Sequence, residues 1–244
     1  LSYYAKEKIE AGTVVKVPLR KRVIPALVLA SRNLREMKLE IRTADFEMKK
    51  IETVPARRLV SEALIESARE TAKFFVGTTG SVLNGLIPKA VLESPEKVYP
   101  IPEQKHEISG RPILKAVLQT DDDDRLAHYK SLVRESFARG ESVFFCIPTT
   151  HDVGRVREML SRGIEGHTIV LHGALPKKEI LALWQRGVES AHPLLIIGTG
   201  LFLGIPRNDI KTIILEKEHS SAYRTYSRPF FDFRLLAELY AEKI

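Results

Sequence analysis

The segment Thr212–Arg234 reads TIILEKEHSSAYRTYSRPFFDFR. Its first four residues, Thr212–Leu215, are β-branched or apolar, a pattern typical of a buried strand. They run directly into the acidic group Glu216-Lys217-Glu218-His219. In α/β proteins, ligands bind at the carboxyl ends of parallel strands, and carboxylates placed there hold Mg²⁺ and orient water in phosphate-hydrolysing sites. The segment therefore predicts a parallel sheet with a site at one edge, in which Lys217 puts a cation where a base or metal ligand is expected.

The chain before this segment alternates between helix-like and strand-like patterns. Such alternation predicts a parallel, doubly wound sheet and an α/β fold. A further strand is predicted at Ile113–Leu118, directly before the acidic run Asp121–Asp124. The predicted helices are Leu126–Arg139, Asp152–Ser161 and Lys177–Gln185, and the other predicted strands are Ser142–Ile147, His167–Leu171 and Leu194–Ile197.

The N-terminal part is β-rich and then helical. A strand closed by Pro18 and a second one, Val23–Ala30, predict a hairpin whose turn is the basic run Leu19–Arg22, with Pro25 favouring an edge position. Leu59–Val76 predicts a helix, because its apolar residues recur on one stripe. That stripe comprises Leu64, Ile65, Ala68, Ala72 and Phe75, and Phe74 and Phe75 are both predicted to lie in the core.

Composition limits the classes of protein. The 244 residues fit one large domain or two small ones. The sequence has no apolar run long enough for a transmembrane helix, and its single cysteine, Cys146, excludes an internal disulfide framework and predicts core packing. Cytoplasm is the default compartment. Residues 1–97 carry 18 Lys and Arg against 12 acids, which accounts for most of the net charge of +7 and favours a polyanionic partner over a generic solubility charge.

The acidic segment resembles that of the primosomal protein N′ (PriA) family of superfamily 2 replication-restart DNA helicases. That family reads Asp-Glu-Glu-His, then Ser-Tyr-Lys, then Pro and Arg in fixed register. The chain departs from it at Glu216, which replaces Asp, and at Lys217, which replaces the expected catalytic Glu. The resemblance implies a RecA-like lobe with no intact catalytic group. Matching positions are Glu218, His219, Tyr223, Arg224 (for Lys), Pro229 and Arg234, with weaker landmarks at His172, Trp184 and Gly198-Thr199.

The N-terminal part resembles the DNA-binding domain of the same family. In that domain, a strand with a Phe or Tyr, a Gly-x-x-Val-x-Val-Pro strand and a basic turn form a pocket for the 3′ end of a DNA strand. Gly12, Val15, Val17 and Pro18 match it. Leu1-Ser2 replaces the family's aromatic-acidic pair, which leaves 3′-end specificity open. The resemblance implies DNA-binding roles for Tyr3, Lys21, Arg22, Lys49 and Lys50.

The expected phosphate-binding loop is replaced by an acidic run. A Gly-x-x-x-x-Gly-Lys-Ser/Thr loop would wrap phosphates with backbone N–H groups. This chain has instead Thr120, Asp121, Asp122, Asp123, Asp124 and Arg125. Each carboxylate within ~4–6 Å of a phosphate in a partly dry site costs on the order of several kcal/mol. We therefore expect neither ATP nor Mg²⁺ as a cofactor and no other metal, and we interpret the run as a helix cap.

These patterns predict three segments. They are a PriA-like DNA-binding domain at 1–92 (β-rich over 1–56, helical over 57–92), a linker at 93–112 too short for the family's winged helix, and a degenerate RecA-like first lobe at 113–244. We expect further residues before Leu1 and a second lobe missing from this sequence. The interpretation is a DNA-binding protein of replication restart that binds branched or 3′-ended DNA and other restart proteins, without its own ATPase activity and without a membrane partner. Two alternatives stay open: an active ATP-dependent 3′–5′ helicase completed elsewhere, and an interaction scaffold that does not bind DNA.

Overall fold

The computed structural model describes residues 2–33, 48–98, 100–101 and 113–244, with the backbone alone for 52–57. The fold is mixed α/β, as predicted, and begins with two small sheets. The first pairs the short parallel strands β1 (Tyr3–Tyr4) and β4 (Lys49–Lys50). The second is antiparallel, with β2 (Thr13–Leu19) between β3 (Arg22–Leu27) and β5 (Glu52–Arg58).

The antiparallel sheet confirms the predicted hairpin. Val14, Val15 and Val17 of the central strand β2 are each no more than 3% exposed. Pro25 lies on β3, which is an edge strand. An edge strand has a neighbour on one side only, so it can accommodate proline, which has no N–H group to donate to a second strand. Residues 34–47, which fall in the predicted β-rich part at 1–56, lie outside the described residues.

Three helices follow: α1 (Glu62–Phe74), α2 (Thr79–Asn84) and α3 (Lys89–Glu93). Helix α1 begins after Ser61, whose hydroxyl accepts a hydrogen bond from the Leu64 N–H. Four residues of its predicted apolar stripe are buried, namely Leu64, Ile65, Ala68 and Ala72. The prediction that Phe74 lies in the core is wrong, because its side chain is 70% exposed. The helix ends at this residue and the chain turns at Val76, whose φ is +52°, so Phe75 rather than Phe74 packs against the core.

The C-terminal half confirms the predicted parallel sheet. Its four strands lie in the order β7-β8-β6-β9, and all pairs are parallel. The strands are β6 (Ser142–Cys146), β7 (Thr168–Leu171), β8 (Leu195–Gly198) and β9 (Ile210–Leu215), and the helices are α4 (Asp122–Ala138), α5 (Val153–Leu160), α6 (Lys177–Glu189) and α7 (Phe233–Ala241).

Helices cover both faces of this sheet. Successive side chains of a strand point to opposite faces, and in β6 Val143 and Phe145 pack with residues of α4 and α5. Phe144 and Cys146 join the opposite core, which contains residues of α1, α6 and α7. Cys146 is therefore a core residue, as predicted, and burial raises the pKa of its thiol to about 12. Trp184 is also buried in that core.

The predicted strand at Ile113–Leu118 is wrong. The segment is irregular, and the side chains of Leu114 and Val117 are 90% and 97% exposed. Lys115 forms ion pairs with Glu238 and Glu242 near the end of α7. β-Propensity depends on a neighbouring strand, and this segment pairs with no strand of the described chain.

The N-terminal helices share a core with the parallel sheet. The Ser67 hydroxyl lies 3.2 Å from the Leu239 carbonyl oxygen, which joins α1 to α7. Lys243 forms an ion pair with Glu70 at 2.9 Å beside this contact. Within the predicted linker, Val98 is buried, while residues 102–112 lie outside the described ranges. The division into domains stays a prediction. None of the described helices combines the length and apolar character needed to cross a bilayer.

Candidate functional site

Strand pairing brings the predicted DNA-binding residues together at the N-terminal sheets. In the β1–β4 pair, Tyr3 lies opposite Lys49 and Tyr4 lies opposite Lys50. The Tyr3 hydroxyl donates a 3.1 Å hydrogen bond to the carbonyl oxygen of Pro18, near the end of β2. Tyr3 therefore connects the lysine pair to the end of the β2–β3 hairpin.

The hairpin turn adds a cation that the sequence prediction did not select. Leu19 pairs with Arg22, so Arg20 and Lys21 form a two-residue turn, and Arg20 has a φ of +54°. A positive φ at the first turn residue is typical of the tight turns that join paired strands. Arg20, Lys21 and Arg22 are all exposed. The sequence shows the run of three basic residues, but only the pairing of β2 with β3 places Arg20 at the tip of the hairpin turn.

We use the name basic surface for Tyr3, Arg20, Lys21, Arg22, Lys49 and Lys50. Residues 2–33 and 48–51 contain nine Lys or Arg and two acids. Within the described part of the chain, none of the five cations of the basic surface has a carboxylate partner. Exposed, unneutralised cations bind phosphate backbones, and an aromatic side chain beside them offers a base a face to stack on.

The second predicted site lies at the carboxyl ends of β6 and β9. Glu216 follows β9 and is 3% exposed. The Tyr129 hydroxyl donates a 2.8 Å hydrogen bond to Glu216 Oε2, and an Arg125 Nη2 lies 3.6 Å from Oε1. Burial, followed by this hydrogen bond, raises the pKa of Tyr129 above its ordinary value. Arg125 and Tyr129 are one turn apart on α4, so the same helix face supplies both partners of the buried carboxylate.

The acidic run caps α4, as the sequence predicts. The Asp121 carboxylate accepts a 2.9 Å hydrogen bond from the Asp124 N–H. Asp122 lies 2.6 Å from Arg125, which holds the pKa of Asp122 below its ordinary value. Asp123 lies in the first turn, where carboxylates interact favourably with the helix dipole. Thr120 contributes its carbonyl oxygen, 3.4 Å from Arg125 Nη1.

Lys217, which replaces the family's Glu, is held by Asp152. Its Nζ lies 2.8 Å from Asp152 Oδ1, and this hydrogen bond lowers the pKa of Asp152. Lys217 has a φ of +51°, a conformation that lysine rarely adopts. Glu218 and His219 are exposed. The structure thus separates the four residues of the predicted acidic motif, with Glu216 buried, Lys217 paired and the other two in solvent.

The space around Glu216 is small. The cleft, which we call the acidic cleft, is lined by Asp122, Arg125, Tyr129, Arg155 and Glu216 together with apolar residues, and encloses about 20 Å³. A cavity of this size holds about one water molecule, whereas small-molecule sites are clefts of roughly 300–1,000 Å³. Within the described ranges, His, Cys, Asp and Glu side chains form no group of three or more that could hold a metal ion.

Two residues of the acidic segment that match the family pattern, Tyr223 and Arg234, form hydrogen bonds to the backbone at the carboxyl edge of the sheet. The hydroxyl of Tyr223 lies 3.0 Å from the Cys146 carbonyl oxygen and 2.7 Å from that of Glu216, at the ends of adjacent strands. Arg234 donates a 2.8 Å hydrogen bond to the carbonyl oxygen of Glu218. The sequence analysis identified Tyr223 and Arg234 only by their spacing in the family pattern. Tyr129 and Asp152 were missed, since their partners are distant in sequence.

Comparison with known proteins shows what this chain is similar to. The model of the PriA 3′ DNA-binding domain matches residues 1–88, which include the whole basic surface. Replication restart protein PriA of Helicobacter pylori (strain 26695) is 21% identical over 249 residues, covering 96% of this chain and 37% of that protein. The Rickettsia conorii protein of the same name is 22% identical over 92% of this chain and 36% of its own length.

Another relative has a higher sequence identity over a shorter part of the chain. Replication restart protein PriA of Treponema pallidum is 29% identical over 103 residues, or 41% of this chain. The chain spans little more than a third of the length of the first two relatives. The N-terminal 88 residues thus match the PriA 3′ DNA-binding domain, and the chain as a whole is similar, at low identity, to replication restart proteins PriA.

Proposed function

We propose that this chain is a PriA-like DNA-binding protein of replication restart, which holds DNA through its basic surface. The observation that carries the proposal is the β1–β4 pairing, which places Tyr3 opposite Lys49. The hydroxyl of Tyr3 also donates a hydrogen bond to Pro18, close to the basic turn. This arrangement groups an aromatic ring and unneutralised cations at one place. Phosphate contacts then supply most of the affinity, and they are independent of sequence.

A 3′ end, free or at a fork, is the form of DNA that we propose as ligand. The description of the matching domain as a 3′ DNA-binding domain supports this choice. Other replication-restart proteins are the second class of partner that we propose, and the name of the relatives, replication restart protein, supports this choice.

We also propose that this chain does not hydrolyse ATP. Three features support this: carboxylates occupy the expected phosphate loop, Glu216 is bound by Arg125 and Tyr129, and the acidic cleft has room for about one water. The alternative is an active 3′–5′ helicase, which the resemblance to the PriA family of helicases implies. Steady-state turnover of ATP with and without forked DNA separates the two, because turnover by the unchanged chain would sink our proposal, whether or not it persists after Asp121–Asp124 are all changed to Asn.

The DNA-binding proposal is tested by fluorescence anisotropy. The probe is a fork with a free 3′ end at the branch, and the matched probe is the same fork with that end blocked by a 3′-phosphate. If the basic surface makes about four phosphate contacts, affinity should fall on the order of 100-fold between about 50 and about 200 mM salt. We expect ATP to leave the affinity unchanged.

Each outcome has a distinct meaning. Equal affinity for the two forks would remove the 3′-end preference and retain backbone binding. An affinity that ATP changes would show that a nucleotide site survives. The absence of binding at low salt would overturn the proposal and favour the interaction scaffold.

A further inference from the structure

The C-terminal end of α1 presents an aromatic ring to solvent. Phe74 is the last residue of this helix, and its side chain is 70% exposed. Val76, two residues further along, is 95% exposed. Aromatic side chains bring a large apolar surface, and they are usually buried in a core or at a contact with a partner. The core of this protein does not cover Phe74, which directs attention to a partner.

The exposed ring is supported by its neighbour. The rings of Phe74 and Phe75 meet edge to face, with centroids 5.1 Å apart and an interplanar angle of 64°, a geometry that aromatic pairs prefer. Phe75 in turn packs against the core. The Gly77 N–H donates a 2.7 Å hydrogen bond to the Ala72 carbonyl oxygen and closes the end of the helix. Phe74 therefore lies on a fixed support.

The backbone directly after the ring is strained. Val76 has a φ of +52°, which a β-branched residue rarely adopts. Strain of this kind is found at ligand-binding sites, where the surrounding structure maintains it. The turn at Val76 leads the chain away from the end of α1. At Gly80, a Cβ would have no atom within 4 Å, so the far side of the turn is also open to solvent.

The charges around the ring favour an anionic partner. Residues 71–92 contain two cations, Lys73 and Lys89, and no acid. Both lysines are exposed, and neither has a carboxylate partner within the described part of the chain. Glu70, one turn before Phe74, is already paired with Lys243 at 2.9 Å. A nucleic acid fits this combination, because its bases stack on aromatic rings and its phosphates are attracted by unneutralised cations.

The size of the apolar surface also favours a base over a protein. A specific protein interface buries about 800 Å² on each partner and has an apolar core. Apart from Val76, the exposed residues that follow Phe74 are small or polar, namely Gly77, Thr78 and Gly80. One ring with small neighbours matches the face of one base.

We propose that Phe74 is a base-stacking site for single-stranded nucleic acid, separate from the basic surface. The inference rests on the proposed function, because it extends the path of the same DNA. Strand β5 and helix α1 separate Phe74 from Lys50 along the chain, so a strand that contacts both must continue beyond the basic surface. Bases within a duplex already stack on their neighbours, so an unpaired base is the ligand. The site is tolerant of sequence, since every base has a face to stack.

A tryptophan at the site gives a direct readout of stacking. Phe74→Trp keeps an aromatic ring at this position, while the natural Trp184 is only 1% exposed and shielded from DNA. We expect oligodeoxythymidine of about 16 nucleotides to quench the new fluorescence, and an abasic strand of the same length to leave it unchanged. The matched control is Ala182→Trp, on the exposed side of α6, which should not be quenched. Binding of the strand without quenching of Phe74→Trp would overturn the proposal.

Affinity separates stacking from general apolar contact. We expect Phe74→Leu, which stays apolar but loses the ring, to bind the same strand on the order of 10-fold more weakly with an unchanged salt slope, because stacking releases no counterion. The matched control is Val76→Asn, which removes a nearby exposed apolar side chain with a residue that tolerates a positive φ, and which should retain the affinity.

The outcomes keep this inference distinct from the proposed function. Unchanged affinity of Phe74→Leu, with binding by the wild type intact, would overturn the stacking site and leave the basic surface standing. Equal losses in Phe74→Leu and Val76→Asn would also overturn it, because they would assign the effect to an apolar contact without stacking. Failure of the wild type to bind any strand at low salt would instead overturn the proposed function itself.

Discussion

Tyr129 on α4 and Glu216 after β9 are joined by a 2.8 Å hydrogen bond between residues 87 positions apart. The carboxylate that begins the acidic motif is thereby bound within the protein. Its other oxygen lies near Arg125. A buried carboxylate requires such partners, because leaving it unpaired costs more than the net gain of the bonds. The contact thus ties the buried carboxylate at the start of the acidic motif to the stability of the fold.

Removing the Tyr129 hydroxyl should be destabilising. We expect Tyr129→Phe to lower the free energy of unfolding by about 1–3 kcal/mol, since it leaves a buried acceptor short of a donor. Urea denaturation gives the value. The matched control is Tyr226→Phe, whose exposed hydroxyl also donates one hydrogen bond, to Ser221, and which should change stability by less than about 0.5 kcal/mol. Equal effects of the two changes would show that the Tyr129–Glu216 hydrogen bond stabilises the protein no more than an exposed hydrogen bond does.

The Lys217–Asp152 pair should give stability a pH dependence. The folded-state pKa of Asp152 is lowered, first by the hydrogen bond from Lys217. The unfolded chain therefore binds this proton more readily, and the pair's contribution is present above a pH of about 4 and is lost as pH falls through the lowered pKa. Lys217→Met should cost up to about 1 kcal/mol at neutral pH, because the lysine is partly exposed.

The deficit of Lys217→Met should shrink as the pH falls below about 4. Chemical denaturation of both proteins across this range gives the comparison. Methionine retains the unfavourable positive φ, so the substitution isolates the charge from the backbone strain. A deficit that stays constant with pH would assign the effect to packing instead of to the ion pair.

Gly12 should tolerate no side chain. A Cβ at this position would lie 2.0 Å from the Val60 carbonyl oxygen, and the residue has a φ of +86°. We expect Gly12→Ala to lower the free energy of unfolding by at least about 1–3 kcal/mol. The control is Gly154→Ala, in a helix with nothing within 4 Å of the new Cβ, which should be neutral or stabilising. Thermal or urea denaturation of both variants tests the contrast.

The lysine pair of the basic surface should contribute to the salt dependence of DNA binding. We expect Lys49→Ala/Lys50→Ala to weaken binding and to reduce the slope of log affinity against log salt by about 2, if each lysine contacts one phosphate. Lys177→Ala/Lys178→Ala at the start of α6 removes the same charge far along the chain and should leave the slope unchanged. Identical slopes for wild type and the Lys49/Lys50 variant would exclude these lysines from the interface.

The sequence alone located most of the helices and strands. Thr212–Leu215 and the N-terminal valines could be recognised because burial on one or both faces leaves a local pattern. The Asp121–Asp124 cap could also be predicted, since capping depends on neighbours a few residues away. Two predictions were wrong because they used only local pattern. The composition of Ile113–Leu118 is typical of a strand, but the segment has no paired neighbour in the described structure. Phe74 is exposed because the helix ends there, and the local pattern does not fix that end.

Local physics thus determined which residues form helices, strands and caps in this protein, and register with a known family identified the acidic segment. The tertiary structure decided which distant groups meet: Tyr3 with Pro18, Tyr129 with Glu216, and Lys217 with Asp152. Propensity and periodicity act over a few residues and leave a trace in the sequence. A hydrogen bond between distant segments leaves no such trace, because its geometry is set by the packing of whole elements.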